Sequence, residues 1–356
     1  MTDRLSELRS RIDALDAEML KLVNERAACA HEIGQIKQGA VYRPEREAQV
    51  LRRIKELNGG PLSPETVAIL FREIMSACLA LEKKLSVAFL GPAGTFSEAA
   101  AIKHFGHAAL TVPCSSIDDV FRSAASGGTD YCVVPVENST EGAVGRSLDL
   151  MTQTQLRICG EVVLRIHHHL LCERPDTPFE DIKRVYSHAQ SLAQCHEWLN
   201  LNVPRAERVS VSSNAEAARI AAGEEGAAAV AGEMAAERYN LFALSRNIED
   251  EPNNTTRFLV LGSQEVGPSG KDKTSLIMSA KNRPGAVHDL LAPFARHNVS
   301  MTKFESRPSR TELWEYVFFV DIEGHVQDAV VAKALEELRS EAAFLKILGS
   351  YPVAVL

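Results

Sequence analysis

The chain has 356 residues, 45% of them apolar and 24% charged, a composition that predicts a packed protein of two or three domains and excludes a disordered one. Its formal charge of -8 argues against nucleic acid as a main partner, and no apolar run is long enough to span a membrane. The N-terminus MTDRLSELRSRIDALD is too charged for a signal peptide, so a cytoplasmic protein is expected, and the seven scattered cysteines, without a C-x-x-C pair, read as reduced packing residues.

From Asp3 to about Gln38, apolar residues recur at Leu5, Leu8, Ile12, Leu15, Met19, Leu22, Cys29, Ile33 and Ile36, the a/d stripe of one long helix. Arg26 interrupts that stripe at an a position. There a guanidinium needs a carboxylate or an anionic ligand, or else it snorkels to solvent. A second helix is predicted from Pro44 to Leu57, before Asn58-Gly59-Gly60-Pro61, and a third from Ser63-Pro64-Glu65 to Glu82. A first helix about 50 Å long, at 1.5 Å per residue, has no core of its own in such a unit, so it needs a partner chain. On one straight helix Arg9 and Lys37 lie roughly 42 Å apart and can touch one small ligand only from different chains. The cations Arg9, Arg26, Lys37 and Arg46, with Glu47 and Glu82, suit a bound dicarboxylate; a solvated charged face is the plainer alternative.

At Ser86 the pattern changes to β-α alternation. Strands are predicted after Ser86 and near 110–113, 131–136, 158–171, 183–187, 208–212, 227–231 and 257–262, with helices near 97–106, 117–126, 142–152, 190–200, 213–223 and 232–240. This describes a two-lobed α/β domain with a cleft. A polar linker at 264–273 follows, and then a β-α-β-β-α-β order that is ferredoxin-like. The expected domains are 1–84, 85–263 and 274–356.

Three strand-to-helix junctions offer backbone N–H groups to an anion: residues 91–97 with Thr95 and Ser97, residues 137–142 with Asn138, Ser139 and Thr140, and residues 187–191 with Ser187. Thr95 with Glu98, and Ser187 with Gln190, have capping-box spacing. The run Asn253-Asn254-Thr255-Thr256-Arg257-Phe258 brings a hydroxyl, an amide and a guanidinium to a strand mouth. His167-His168-His169 invites a metal reading, but adjacent strand residues face opposite sides and no acidic or cysteine cluster matches them. Neither GxGxxG nor a Gly-Lys-Ser/Thr phosphate loop is present, so no metal and no nucleotide cofactor is expected.

In this order GPAGTFS, VPVENSTEGA, YSHAQSLAQC, NNTTRF and ESRP resemble the bifunctional chorismate mutase/prephenate dehydratases of phenylalanine biosynthesis, and the resemblance covers nearly the whole chain. It implies an all-α mutase forming an intertwined dimer, a dehydratase domain like type II periplasmic binding proteins, and a C-terminal ACT domain that senses phenylalanine. The mutase clamp would comprise Arg9 from the partner chain, Arg26, Lys37, Arg46, Glu47, Cys78 and Glu82, with Lys37 and Glu82 at the breaking ether oxygen. Glu82 and Cys78 stand where glutamine and serine occur in one form of the family, and a glutamate donates a hydrogen bond only when protonated. Mutase activity should therefore fall as pH rises through the titration of Glu82. In the dehydratase, Thr256 would donate to the departing hydroxyl, while Thr95, Ser97, Asn138, Ser139, Thr140, Ser187, Gln194, Arg257 and Phe258 bind prephenate. Gly285-Ala286-Val287 and Glu305-Ser306-Arg307-Pro308 would hold phenylalanine, with Val287 in place of the usual leucine. The implied partners are chorismate, prephenate and phenylalanine, with no cofactor. A homodimer is expected and a tetramer is left open. The competing readings are a dehydratase with an inactive mutase domain and a non-catalytic amino-acid sensor.

Overall fold

The computed structural model describes residues 2–36, 40–281, 283–309 and 316–356. The helices α1 (Thr2–Ile36), α2 (Pro44–Leu57) and α3 (Pro64–Glu82) form an N-terminal unit. Pro64 opens α3, where the Ser63 hydroxyl accepts from Thr66 N at 3.1 Å. Along α1 the apolar stripe lies open, with Leu8, Leu15 and Met19 at 44%, 50% and 60% exposure. Among the described residues nothing buries the stripe.

The first lobe of the middle unit contains β1 (Ser86–Leu90), α4 (Phe96–Phe105), β2 (Leu110–Cys114), α5 (Ile117–Ala125), β3 (Tyr131–Asn138), the short β4 (Gly142–Ala143), α6 (Gly145–Gln153) and β5 (Arg157–Arg165). The second lobe follows with β6 (His169–Cys172), β7 (Arg184–His188), α7 (Ala189–Gln194), α8 (His196–Asn202), β8 (Glu207–Val211), α9 (Asn214–Ala221), β9 (Ala227–Ala231), α10 (Glu233–Tyr239) and β10 (Phe242–Ser245). The chain then returns to the first lobe as β11 (Thr255–Gly262), giving sheets ordered β2-β1-β3-β11-β5, with β4 on β3, and β10-β6-β9-β7-β8. The single strand expected over 158–171 is two strands in different sheets, because residues 166–168 carry the chain between lobes. The return crossing lies beside them: Ile166 N donates to Asn254 O at 2.9 Å and Ile248 N to His168 O at 2.8 Å. The expected helix at 190–200 divides into α7 and α8 at Cys195.

The C-terminal unit comprises β12 (Asp272–Ala280), α11 (Ala286–Arg296), β13 (Met301–Pro308), β14 (Tyr316–Glu323), α12 (Ala329–Glu341) and β15 (Ala342–Pro352), in the sheet order β13-β14-β12-β15. This is the expected ferredoxin-like arrangement. One face of the sheet buries Leu276, Phe318 and Val320 with Leu290 and Leu335 of the helices. On the other face Ile277, Phe319, Leu348 and Tyr351 join a core with Val134, Ile158 and Leu259 of the first lobe. The unit therefore sits directly behind β3 and β11.

Candidate functional site

A cavity of about 920 Å3 separates the two lobes. Asn138 from β3, Thr256 and Phe258 from β11, and residues 91–97 line one wall; His188, Gln194 and Asn214 line the other; Ile166 and His168 close the hinge end. Thr256 and Phe258 share a face because strand side chains alternate.

The direction of the polar network follows from two backbone amides, which can only donate. Thr140 N and Glu141 N lie 3.0 and 3.1 Å from Asn138 Oδ1, so Asn138 presents Nδ2 as a donor. That Nδ2 donates to Thr256 Oγ1 and to Asn254 Oδ1, both at 2.8 Å. Asn254 therefore turns its own Nδ2 to Gln194 Oε1 at 3.0 Å, and Gln194 Nε2 donates to Thr140 Oγ1 at 3.3 Å. His168 Nε2 faces the same Gln194 oxygen at 3.0 Å and must carry a proton. Since Thr256 Oγ1 accepts from Asn138, its O–H is free to donate into the cleft.

Arg257 lies on the opposite face of β11. Its Nε donates to Glu161 Oε2 at 2.9 Å, its Nη1 to Asp321 Oδ2 at 2.5 Å and its Nη2 to the Tyr351 hydroxyl at 2.9 Å. Burial alone would lower its pKa, but the surrounding Tyr351, Asp321 and Glu161 outweigh this and hold the guanidinium charged. Two further ion pairs cross the same contact: Lys303 to Glu137 at 2.6 Å and Arg307 to Asp149 at 3.4 Å.

In the helical unit Arg26 Nη1 lies 3.1 Å from Cys78 Sγ. Glu82 rests on α1 at Gly34, where an added Cβ would come within 2.5 Å of Oε2. Glu47 turns elsewhere, to a close ion pair with Arg72 at 2.7 Å. Burial raises the Glu47 carboxyl and Arg72 partly offsets this. Arg72 also donates to Lys103 O at 3.0 Å and to His104 O, joining α3 to the end of α4. Arg9 and Arg46 are exposed, and Lys37 lies outside the described residues.

Residues 87–266 match the prephenate dehydratase family, residues 8–83 the type II chorismate mutase family and residues 274–340 the ACT domain. A bifunctional chorismate mutase/prephenate dehydratase of Neisseria gonorrhoeae is 59% identical over all of both chains. That of Pseudomonas aeruginosa is 54% identical over 99% of each. The chain belongs to the bifunctional chorismate mutase/prephenate dehydratase family. Among solved structures, a prephenate dehydratase from Arthrobacter aurescens in complex with L-Phe superposes with a TM-score of 0.69 at 34% identity, covering 75% of this chain and 90% of that one. The dehydratase of Staphylococcus aureus gives 0.66 at 29%, covering 75% and 100%.

Within this family member the dehydratase cleft gathers Thr95, Ser97, Asn138, Gln194, Thr256 and Phe258. Thr140 borders it through its bonds to Asn138 and Gln194. Three expectations are corrected. Arg257 faces the ACT sheet, because alternation turns it away from Thr256. Ser187 is fully buried and donates to Val230 O at 2.6 Å, while the His188 side chain makes the cap on Gln190 N. Ser139 ties the return crossing instead, accepting from Thr255 N at 2.9 Å and donating to Asn253 O at 3.3 Å. The other expected capping box also differs: Glu98 reaches Gly94 N at 2.5 Å and the Thr95 hydroxyl donates to Leu90 O. In the mutase unit, Glu47 is held by Arg72 and is not seen beside Cys78 and Glu82. In the ACT unit Gly285 is the left-handed residue preceding α11, with Ala286 buried and Val287 exposed. Glu305, Ser306, Arg307 and Pro308 lie on the edge strand β13, where Arg307 turns back toward Asp149. His168 and Asn254 are cleft residues that the sequence reading did not assign. Asn254 was within reach of that reading, being in the same motif as Thr256.

Proposed function

We propose that the chain converts chorismate to prephenate in its helical unit and prephenate to phenylpyruvate in the cleft, with phenylalanine acting on the C-terminal unit. The first reaction is a pericyclic rearrangement that needs neither base nor nucleophile. Catalysis comes from holding a compact conformer and stabilising charge on the breaking ether oxygen. Arg26 of α1 and Glu82 of α3, which packs on α1 at Gly34, are assigned to this role, with Lys37 assigned to the ether oxygen beside Glu82. Arg9 is 17 residues from Arg26, about 25 Å along the helix, so it serves the site of a second copy. The exposed apolar stripe of α1 supports that intertwined dimer.

In the cleft, loss of carbon dioxide sends an electron pair through the ring and expels the C4 hydroxyl, and aromatisation drives the step. The enzyme has to fix the substrate and assist the leaving oxygen. The observation that carries this reading is the Asn138–Thr256 bond, which fixes the Thr256 oxygen as an acceptor and leaves its O–H to donate to the departing hydroxyl. A threonine hydroxyl is a poor acid, so its role is hydrogen-bond donation. Neither reaction calls for a cofactor. A purely sensory protein has no use for the donor at Thr256 or for the cations along α1. Ultraviolet absorbance tests the reading: chorismate should disappear and phenylpyruvate appear, and phenylalanine should slow the second step.

The ACT motifs Gly285–Val287 and Glu305–Pro308 are assigned to phenylalanine. The assigned domains are residues 1–84, 85–263 and 274–356, joined by 264–273. Feedback is reciprocal coupling between that site and the cleft. The ion pairs Arg257–Asp321, Lys303–Glu137 and Arg307–Asp149 are the contacts through which it would act.

A further inference from the structure

The polarity of the cleft network leaves one group unused. His168 is 1% exposed, sits in the hinge wall of the cavity and spends its Nε2 proton on Gln194 Oε1 at 3.0 Å. Its Nδ1 is consequently a bare acceptor, buried and without a hydrogen-bond partner among the described residues. A buried acceptor left unpaired is unfavourable by roughly 1–3 kcal/mol, so the working state should satisfy it. The other cleft histidine differs: His188 Nδ1 already accepts from Gln190 N.

The charge balance of the cavity points to what satisfies Nδ1. Prephenate, the substrate of the dehydratase reading on which this inference rests, carries two carboxylates. Among the residues lining the cavity, Arg238 is the sole permanent cation. We infer that His168 takes up a proton at Nδ1 as the dianion enters, its positive charge set in the hinge wall against the substrate's carboxylates, so that substrate binding is proton-coupled. The proton comes from solvent, and the imidazole becomes imidazolium with no other bond made or broken. Until then burial keeps the ring neutral, its pKa lowered from the usual histidine range. The charged and titratable neighbours are Glu249 from the return crossing, whose Oε2 accepts from His168 N at 2.9 Å, and His167 and His169 on either side. From α7 and α4 it meets only the neutral Gln194 and the ring of Phe96, at 5.6 Å between centroids.

The sign follows from linkage. Between the depressed pKa of the free enzyme and the raised pKa of the complex, binding takes up one proton, and affinity weakens about tenfold per pH unit as pH rises. The test is the KM for prephenate against pH, followed by phenylpyruvate absorbance, in the full-length wild type and in His168→Gln. The variant retains a donor for Gln194 but cannot be protonated. Expected are a KM that climbs about tenfold per unit in the wild type, a flat profile raised at least about tenfold at low pH in His168→Gln, and kcat changed by less than about threefold. Unchanged mutase turnover in the same preparation certifies folding; if it is lost, His168→Asn takes the place of His168→Gln. Superimposable KM profiles in wild type and variant would overturn the inference, while absence of phenylpyruvate from the wild type would overturn the dehydratase reading itself.

Discussion

Arg257 Nη1 and Asp321 Oδ2 meet at 2.5 Å across the contact between β11 and the ACT sheet, and the residue before Arg257 on that strand is Thr256. Front and back faces of one strand therefore carry the hydroxyl proposed to donate to the leaving group and the anchor of the regulatory unit. A rigid strand moves both together. Replacing Arg257 by methionine strands Asp321 as a buried charge and leaves Glu161 to Lys273 alone, a loss of about 3–5 kcal/mol when one partner of a buried pair is removed. Arg257→Met should lower the melting temperature and weaken phenylalanine inhibition at least about tenfold, with the KM for prephenate changed by less than about threefold. A large KM effect with inhibition intact would return Arg257 to the substrate site.

The open stripe on α1 makes a separate prediction. Ile12 and Leu15 are 56% and 50% exposed in one chain and belong to the expected seam. The double variant Ile12→Glu, Leu15→Glu should convert a dimer to a monomer in light scattering. It should reduce mutase activity by about a hundredfold or more, because the partner's arginine is then lost from the site, yet leave the dehydratase working.

Glu82 rests on α1 where only Gly34 gives it room. In the proposed role the carboxylic acid would donate a hydrogen bond to the ether oxygen, and the carboxylate would repel developing negative charge. Mutase kcat/KM should fall as pH rises in the wild type, and Glu82→Gln should flatten that fall. A wild-type profile that is flat throughout would contradict the assignment.

Stability should respond to acid through His104. Burial, reinforced by the neighbouring Arg72 guanidinium, lowers this imidazole to about 3, while Tyr42 holds its Nε2 at 2.9 Å. The native state keeps it neutral, whereas in the unfolded chain it titrates near ~6.5. Below that pH the unfolded state binds a proton that the native state refuses, so stability falls on acidification toward about 3, by about 1.4 kcal/mol per pH unit. Urea midpoints of His104→Gln should show a shallower slope between pH 6 and 4 than those of the wild type.

Local patterns made much of this legible. The heptad stripe of α1 announced an apolar face that needs a partner, and the ferredoxin-like order of the tail could be read from period alone. Asn138, Gln194 and Thr256 were recognisable because each lies in a short motif at a strand or helix end. Arg257 was not, because adjacency in a motif suggests a shared role while strand alternation places neighbours on opposite faces. Ser187 differs for another reason: α7 begins one residue later than its spacing implied, with His188 as the cap, and Ser187 gives its hydroxyl to the buried Val230 carbonyl. His168 stayed hidden because residues 158–171 read as one strand. Its importance depends on the lobe crossing at 166–168, a tertiary event with no local signal. Glu47 was placed by motif at the mutase clamp, and its pairing with Arg72 depends on how α3 meets α4.

The most direct test of the account gives chorismate to purified Thr256→Ala and follows chorismate, prephenate and phenylpyruvate together. Losing one preorganised donor should lower dehydratase kcat by about 10²–10³ with mutase turnover unchanged, so that prephenate accumulates. Parallel loss of both activities, or undiminished release of phenylpyruvate, would contradict it.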